Sequence, residues 1–193
     1  MATKGTISGS CKDSKGSSTS KYDTWIDWVE NSSDVVKNVS NITVYVRVQR
    51  TDGYKESAAN LAKKPSVVLK VGSSTKTATV DYINTRNSVV CTLATWTGDV
   101  SHADDGTLEL ALACSWTMTG TSSLGSGAIN GTATLNVIPR ASTIAASDAN
   151  IESTSTVVVN RKSSAFKHTI AVKFGKLSGY INADGELVST AVM

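Results

Sequence analysis

The residues best suited to chemistry lie in two short stretches. His102 stands near Asp99, Asp104 and Asp105, and a histidine among carboxylates is the composition of a metal site or a proton relay. The oxygen-rich set would suit calcium better than zinc. The spacing of a calcium-binding EF loop is absent, however, and Asp105-Gly106 is ordinary turn chemistry, so His102 reads as a residue of an exposed turn. In the second stretch, residues 21–30 (KYDTWIDWVE), Asp23 and Asp27 stand close to Trp25 and Trp28. Carboxylates hydrogen-bond sugar hydroxyls, and indole faces stack on sugar rings. As a hydrolytic pair the two aspartates fail, because carboxylates four residues apart on one strand face lie about 13 Å apart, beyond either hydrolytic geometry. His168 alternates with Phe166 and Ile170 and reads as a semi-buried structural histidine. The glycines of residues 120–127 lack the lysine and the following helix that would cradle a phosphate. The expectation is a non-enzymatic protein without a cofactor, with Asp99, Asp104 and Asp105 as weak metal candidates only.

Composition narrows the classes further. The chain has 193 residues, a formal charge of +3, and 27 serines and 24 threonines, about a quarter of the total. Thr suits a pleated surface and Ser suits turns, so faces should be neutral and hydroxylated. Lys12, Lys15, Lys21, Lys63, Lys64 and Lys70 are scattered, and aromatic and basic residues mix only at Tyr45, Arg47 and Arg50, which argues against nucleic acid. Cys11, Cys91 and Cys114 are too far apart for a disulfide framework or a zinc site. They read as buried free thiols, with Cys91 and Cys114 becoming neighbours if their strands pair. No stretch is long and apolar enough to cross a bilayer, and the first residues contain no apolar signal-peptide core. Synthesis in a cytoplasm without secretion is expected, which empties the glycosylation pattern at Asn38 and Asn41 of meaning.

The elements that must position these residues are strands. Residues 40–50 alternate cleanly, with Ile42, Val44, Val46 and Val48 on one face and Thr43, Tyr45, Arg47 and Gln49 on the other. Residues 21–30 alternate too, placing Tyr22, Thr24, Ile26 and Trp28 opposite Asp23, Trp25, Asp27 and Val29. Further strands are expected at residues 3–8, 66–71, 76–83, 89–96, 107–116 and 129–138. Residues 10–20, 98–102 and 120–127 read as loops, and residues 55–64 as a short helix or irregular loop. About eight half-apolar strands predict an all-β protein, an antiparallel β-sandwich of two packed sheets, with a closed barrel as the alternative. Pro139 ends the last strand, so residues 1–140 form the sandwich domain. Residues 141–193 form a partial second β module, too small for a full core of its own.

Several segments together carry a resemblance: Asn38-Val39-Ser40-Asn41-Ile42-Thr43-Val44-Tyr45, Gln49-Arg50-Thr51-Asp52-Gly53-Tyr54, His102-Ala103-Asp104-Asp105-Gly106, and above all Ile138-Pro139-Arg140-Ala141-Ser142. With Ser164-Ala165-Phe166-Lys167-His168 and Ser178-Gly179-Tyr180-Ile181, this order resembles a family of minor structural, tail-tip proteins of siphophages infecting Gram-positive bacteria. The resemblance implies immunoglobulin-like or related (jelly-roll-like) sandwich modules, a place in the virion tail, and contacts with other tail proteins. It brings no catalytic residues. Homo-oligomerisation is expected on the ground that closed symmetry covers sheet edges. The expected function is a tail structural protein contributing to the tail tip and to attachment on host cell-wall polysaccharide. Trp25, Tyr45, Tyr54 and Trp96 are the ligand-binding candidates, expected to face outward or lie near loops. The alternative is a non-catalytic carbohydrate-binding module of a bacterial surface or hydrolase protein. Neither nucleic acid nor membrane insertion is expected.

Overall fold

The computed structural model describes residues 3–53, 64–79, 88–119, 124–141, 143–146, 157–160, 169–174, 177–182 and 187–189. The expected helix at residues 55–64 falls almost wholly outside them, as do Tyr54 and His168. Before Ile138 the described strands are β1 (Lys4–Ser8), β2 (Ser10–Asp13), β3 (Ser18–Thr19), β4 (Tyr22–Asp34), β5 (Val39–Arg50), β6 (Lys64–Val71), β7 (Ser74–Thr79), β8 (Val90–Ser101), β9 (Glu109–Thr119) and β10 (Leu124–Thr134). They form two antiparallel sheets, one ordered β1-β4-β5-β8 and the other β3-β2-β10-β9-β6-β7.

The alternation explains the core. Ile26, Ile42, Val44, Val46 and Leu93 from the four-stranded sheet, and Val67, Leu69, Leu112, Trp116 and Ile129 from the six-stranded sheet, are almost completely buried in one cluster. Each such side chain contributes about 1.5–3 kcal/mol over its exposed state. The β4–β5 turn is closed by Asp34, whose carboxylate accepts the N–H groups of Lys37 and Val36 at 3.0 and 2.9 Å. The Lys37 N–H, then that of Val36, holds its carboxyl below the usual range.

Four strands run through segments that read as loops: β2 and β3 within residues 10–20, the end of β8 at residues 98–101, and the start of β10. β2 forms because the chain turns a corner at Gly9 and leaves the first sheet for the second, where it pairs with β10. A side chain at Gly9 would sit 2.4 Å from Ile129 Cγ1 and 2.5 Å from the Ala128 carbonyl, so only glycine fits the corner. β10 starts at Leu124, five residues before the expected start, and its glycines are strand residues because the Asp13 backbone closes on Gly125 and the Trp116 and Ile7 side chains cover Gly127 and Gly131.

After Ile138 the described strands are β11 (Thr143–Ala146), β12 (Val157–Asn160), β13 (Ile170–Phe174), β14 (Leu177–Ile181) and β15 (Leu187–Val188), in sheets β11-β12 and β13-β14-β15. By internal contacts the chain divides into Met1–Ala103 with Thr107–Ile138, and Pro139–Met193 with Asp104–Gly106.

Cys91 and Cys114 do not become strand neighbours. They belong to β8 and β9, which lie in different sheets, and all three cysteines are free and buried. Burial pushes the Cys114 thiol up to about 12, and burial together with the Asp23 charge does the same to Cys11. Because the thiolate is the reactive form, a disulfide reagent at pH 8 should leave native Cys11 and Cys114 unmodified for hours and label them promptly in denaturant. Labelling of either in the native protein within minutes, followed by peptide mapping, would contradict the closed core.

Candidate functional site

The outer face of the four-stranded sheet gathers the most chemistry. Strand register places Thr6 beside Asp27, Asp27 beside Tyr45, and Trp25 beside Arg47, so β1, β4 and β5 each contribute to one patch. The Asp27 carboxylate organises it. Thr6 Oγ1 donates to Oδ1 at 2.8 Å and Trp25 Nε1 donates to Oδ2 at 2.9 Å. Arg47 Nε lies 3.1 Å from the same Oδ2 as an ion pair, without hydrogen-bond alignment, and its guanidinium stands 5.0 Å over the Tyr45 ring. Both members of the ion pair are about one-third exposed, so the pair adds little stability and serves mainly to hold its neighbours. Two shallow depressions meet at Thr6. One of about 440 Å³ is lined by Lys4, Thr6, Asp27, Tyr45 and Arg47, and one of about 240 Å³ by Ser8, Asp23 and Trp25.

Of the four aromatic residues expected to bind, the structure brings two together, Trp25 and Tyr45. Trp96 is corrected: its side chain lies on the core side, partly buried and paired in register with the buried Val44. The cause is a bulge in β8. The register to β5 shifts between Val46 and Arg47, leaving Leu93 as an extra residue, and one extra residue reverses which face every later side chain takes. Tyr54 lies outside the described residues. The same bulge turns Asp99 outward, where its Oδ1 accepts Asn41 Nδ2 at 2.7 Å.

No group of three or more potential metal-binding side chains occurs among the described residues. His102, expected in an exposed turn, is only 8% exposed. It joins a buried network that alternation alone could have flagged, since Glu30 and Ser40 both fall in the core phase of their strands. Ser40 Oγ donates to Glu30 Oε1 at 2.6 Å and lies 2.8 Å from His102 Nε2. Glu30 Oε2 accepts the Asn136 backbone N–H at 3.2 Å and its side-chain Nδ2 at 2.7 Å. A Ser, a His and a carboxylate invite comparison with a nucleophilic triad, but the connectivity differs. The serine proton goes to the carboxylate, so His102 Nε2 must donate to Ser40 rather than take its proton. Ser40 is also fully buried, out of reach of a substrate. The network ties β4 and β5 to the turn after β8 and to the segment leaving β10.

Arg50, grouped with Tyr45 and Arg47 in the sequence, is not available to phosphates. Its side chain is 4% exposed, bonds Asp52 through Nε and Nη2 at 2.7 and 3.1 Å, and stacks over Tyr22 at 5.2 Å. Among the described residues no helix is long and apolar enough to cross a membrane.

These features define an all-β protein of two antiparallel sheets sharing one core, with an aromatic and polar sheet face as its most organised surface. Residues 20–191 match the family model described as "Siphovirus protein of unknown function (DUF859)", and the chain belongs to that family. No curated protein and no solved structure matches it. The phage origin implied by the sequence segments is thus shown, at the level of a siphovirus protein.

Proposed function

We propose that this chain is a non-catalytic structural module of the siphophage tail, with a sandwich of the immunoglobulin-like or related type, that contacts host cell-wall glycan through the outer face of its four-stranded sheet. The observation that carries the reading is the pairing of Trp25 and Tyr45 on one face with an aspartate and an arginine that fix them. Sugar sites combine planar apolar surfaces with a few oriented polar groups, and the patch has both. Family membership supports a tail module over a free-standing carbohydrate-binding module of bacterial origin. Partners in this reading are other tail proteins, further copies of the chain, and the host wall polymer.

Trp25→Ala and Tyr45→Ala should each weaken binding of the purified chain to host cell walls at least tenfold, and together abolish it. Co-sedimentation with washed walls reads this directly. Undiminished binding by the double variant, with its thermal unfolding unchanged, would remove the glycan face from the proposal. Antibody labelling of intact phage that decorates the capsid and not the tail would overturn the tail assignment.

A further inference from the structure

The organised face continues beyond the aromatic patch. Along β5 the residues on the outer face run Arg47, Tyr45, Thr43 and Asn41, Thr43 itself being buried, and their partners on β8 are Thr92, Thr95, Thr97 and Asp99. At the far end a second bulge, between Glu30 and Ser32 of β4, leaves Asn31 outside the strand register. Bulges re-aim side chains, and Asn31 reaches across β5. Its Nδ2 donates to Asn41 Oδ1 at 3.0 Å and Thr43 Oγ1 at 2.9 Å. Thr43 Oγ1 lies 3.1 Å from Thr97 Oγ1, and Asn41 Nδ2 donates to Asp99 Oδ1 at 2.7 Å. Five side chains from three strands therefore hold one another in place before any ligand arrives.

We infer that this face binds a linear, uncharged glycan laid along β5, with the aromatic patch and the Asn41–Asp99 ladder as two ends of one extended site. The inference rests on the glycan reading above and specifies the ligand of that site. Length supports it: the six steps along β5 from Arg47 to Asn41 span about 20 Å at the rise of an antiparallel strand, more than one sugar ring needs. Charge supports it as well. Lys4 and Arg47 on this face stand against Asp23, Asp27 and Asp99, so cations do not predominate, and the remaining groups are amides and hydroxyls, a surface suited to hydroxyl groups rather than to a phosphate polymer. Shape agrees, because the depressions lined by Tyr45 and Trp25 are open to solvent and share Thr6, rather than being two separate enclosed cavities. Pre-ordered polar groups lower the entropy lost on binding.

The test uses host wall polysaccharide stripped of teichoic acid, hydrolysed and sorted into oligomers of increasing length, with affinity measured by calorimetry on the full chain. Affinity should rise at least tenfold from the shortest fraction to the longest. Asn41→Ala and the milder Asp99→Asn should remove most of that gain while leaving the shortest fraction unaffected. Equal affinity at all lengths, or ladder variants that bind long oligomers normally, overturns the extended site while binding that still depends on Trp25 leaves the glycan face standing. Tight binding of intact teichoic acid in place of the stripped polymer overturns the uncharged ligand. No binding to any fraction overturns both readings.

Discussion

Glu30→Ala should destabilise the first unit by about 3 kcal/mol, because it removes the acceptor for Ser40 Oγ–H, Asn136 N–H and Asn136 Nδ2–H and leaves a small cavity. Ser40 is fully buried and finds no replacement in water, whereas Asn136 is exposed and recovers part of its loss there. The measurement is the midpoint of urea unfolding at constant slope. Glu30→Gln separates shape from chemistry. Glutamine keeps one acceptor oxygen but turns an amide donor toward groups that are themselves donors, so most of the loss should remain. Ser40→Ala should also destabilise, since it strips the donor from Glu30 and the acceptor from His102. A nucleophilic triad would behave in the opposite way, losing chemistry and keeping stability, and would react with serine-directed phosphonates. No labelling of Ser40 is expected in the folded protein. A Glu30→Ala variant as stable as the parent would show that the network contributes nothing to holding the exit from β10.

Gly127→Val should be at least as damaging, about 3 kcal/mol or more, with Gly127→Ala smaller but of the same sign. Gly127 pairs in register with Trp116, and a Cβ there would lie 2.4 Å from Cε2 and Cζ2 of the indole. Trp116 is 2% exposed and cannot swing away. The same arrangement recurs at Gly5, which pairs with Trp28 and whose Cβ would lie 2.8 Å from that ring. Large rings covering glycines on a neighbouring strand supply the packing those glycines lack. Trp116 Nε1 is buried without a hydrogen-bond partner, so Trp116→Phe loses area but also sheds an unsatisfied donor. Phenylalanine lacks Nε1 and Cζ2, two of the three indole atoms that crowd Gly127. The Gly127→Ala, Trp116→Phe double variant should therefore be more stable than the sum of the single losses allows, by about 1 kcal/mol in a double-mutant cycle. Simple additivity would mean the ring is not what excludes a side chain at position 127.

Much of this fold was legible in the sequence because alternation is a local property. Residues 21–30 and 40–50 announce which side chains face the core, and the structure places Ile26, Val44, Val46 and Val48 there and Trp25, Asp27, Tyr45 and Arg47 outside. The face of a residue follows from its phase, provided the strand keeps register. Where a bulge intervenes, phase stops carrying information, and Trp96 and Asp99 went to the opposite faces for that reason. Composition misled at residues 10–13 and 124–128, where serine and glycine suggested loops. Those residues are strands because Gly9 lets the chain change sheets and because Trp116 fills the space above Gly127.

By itself the sequence determined the all-β class, the polar and apolar faces of the central strands, and the phage family through segments whose order is specific, whereas Pro139 does not end the last strand of the first unit, β10, which stops at Thr134. Only the tertiary structure decided which distant residues meet. Ser40 and His102 stand 62 positions apart and Glu30 and Asn136 106 apart, and nothing in their local context pairs them. Asn38 brings the histidine in, with φ of 59° and an amide that donates to the carbonyls of His102 and Ala103 at 3.1 and 2.9 Å. Such contacts follow from the register and order of strands, which depend on the whole core packing at once, whereas the face a side chain takes depends on its neighbours in the chain.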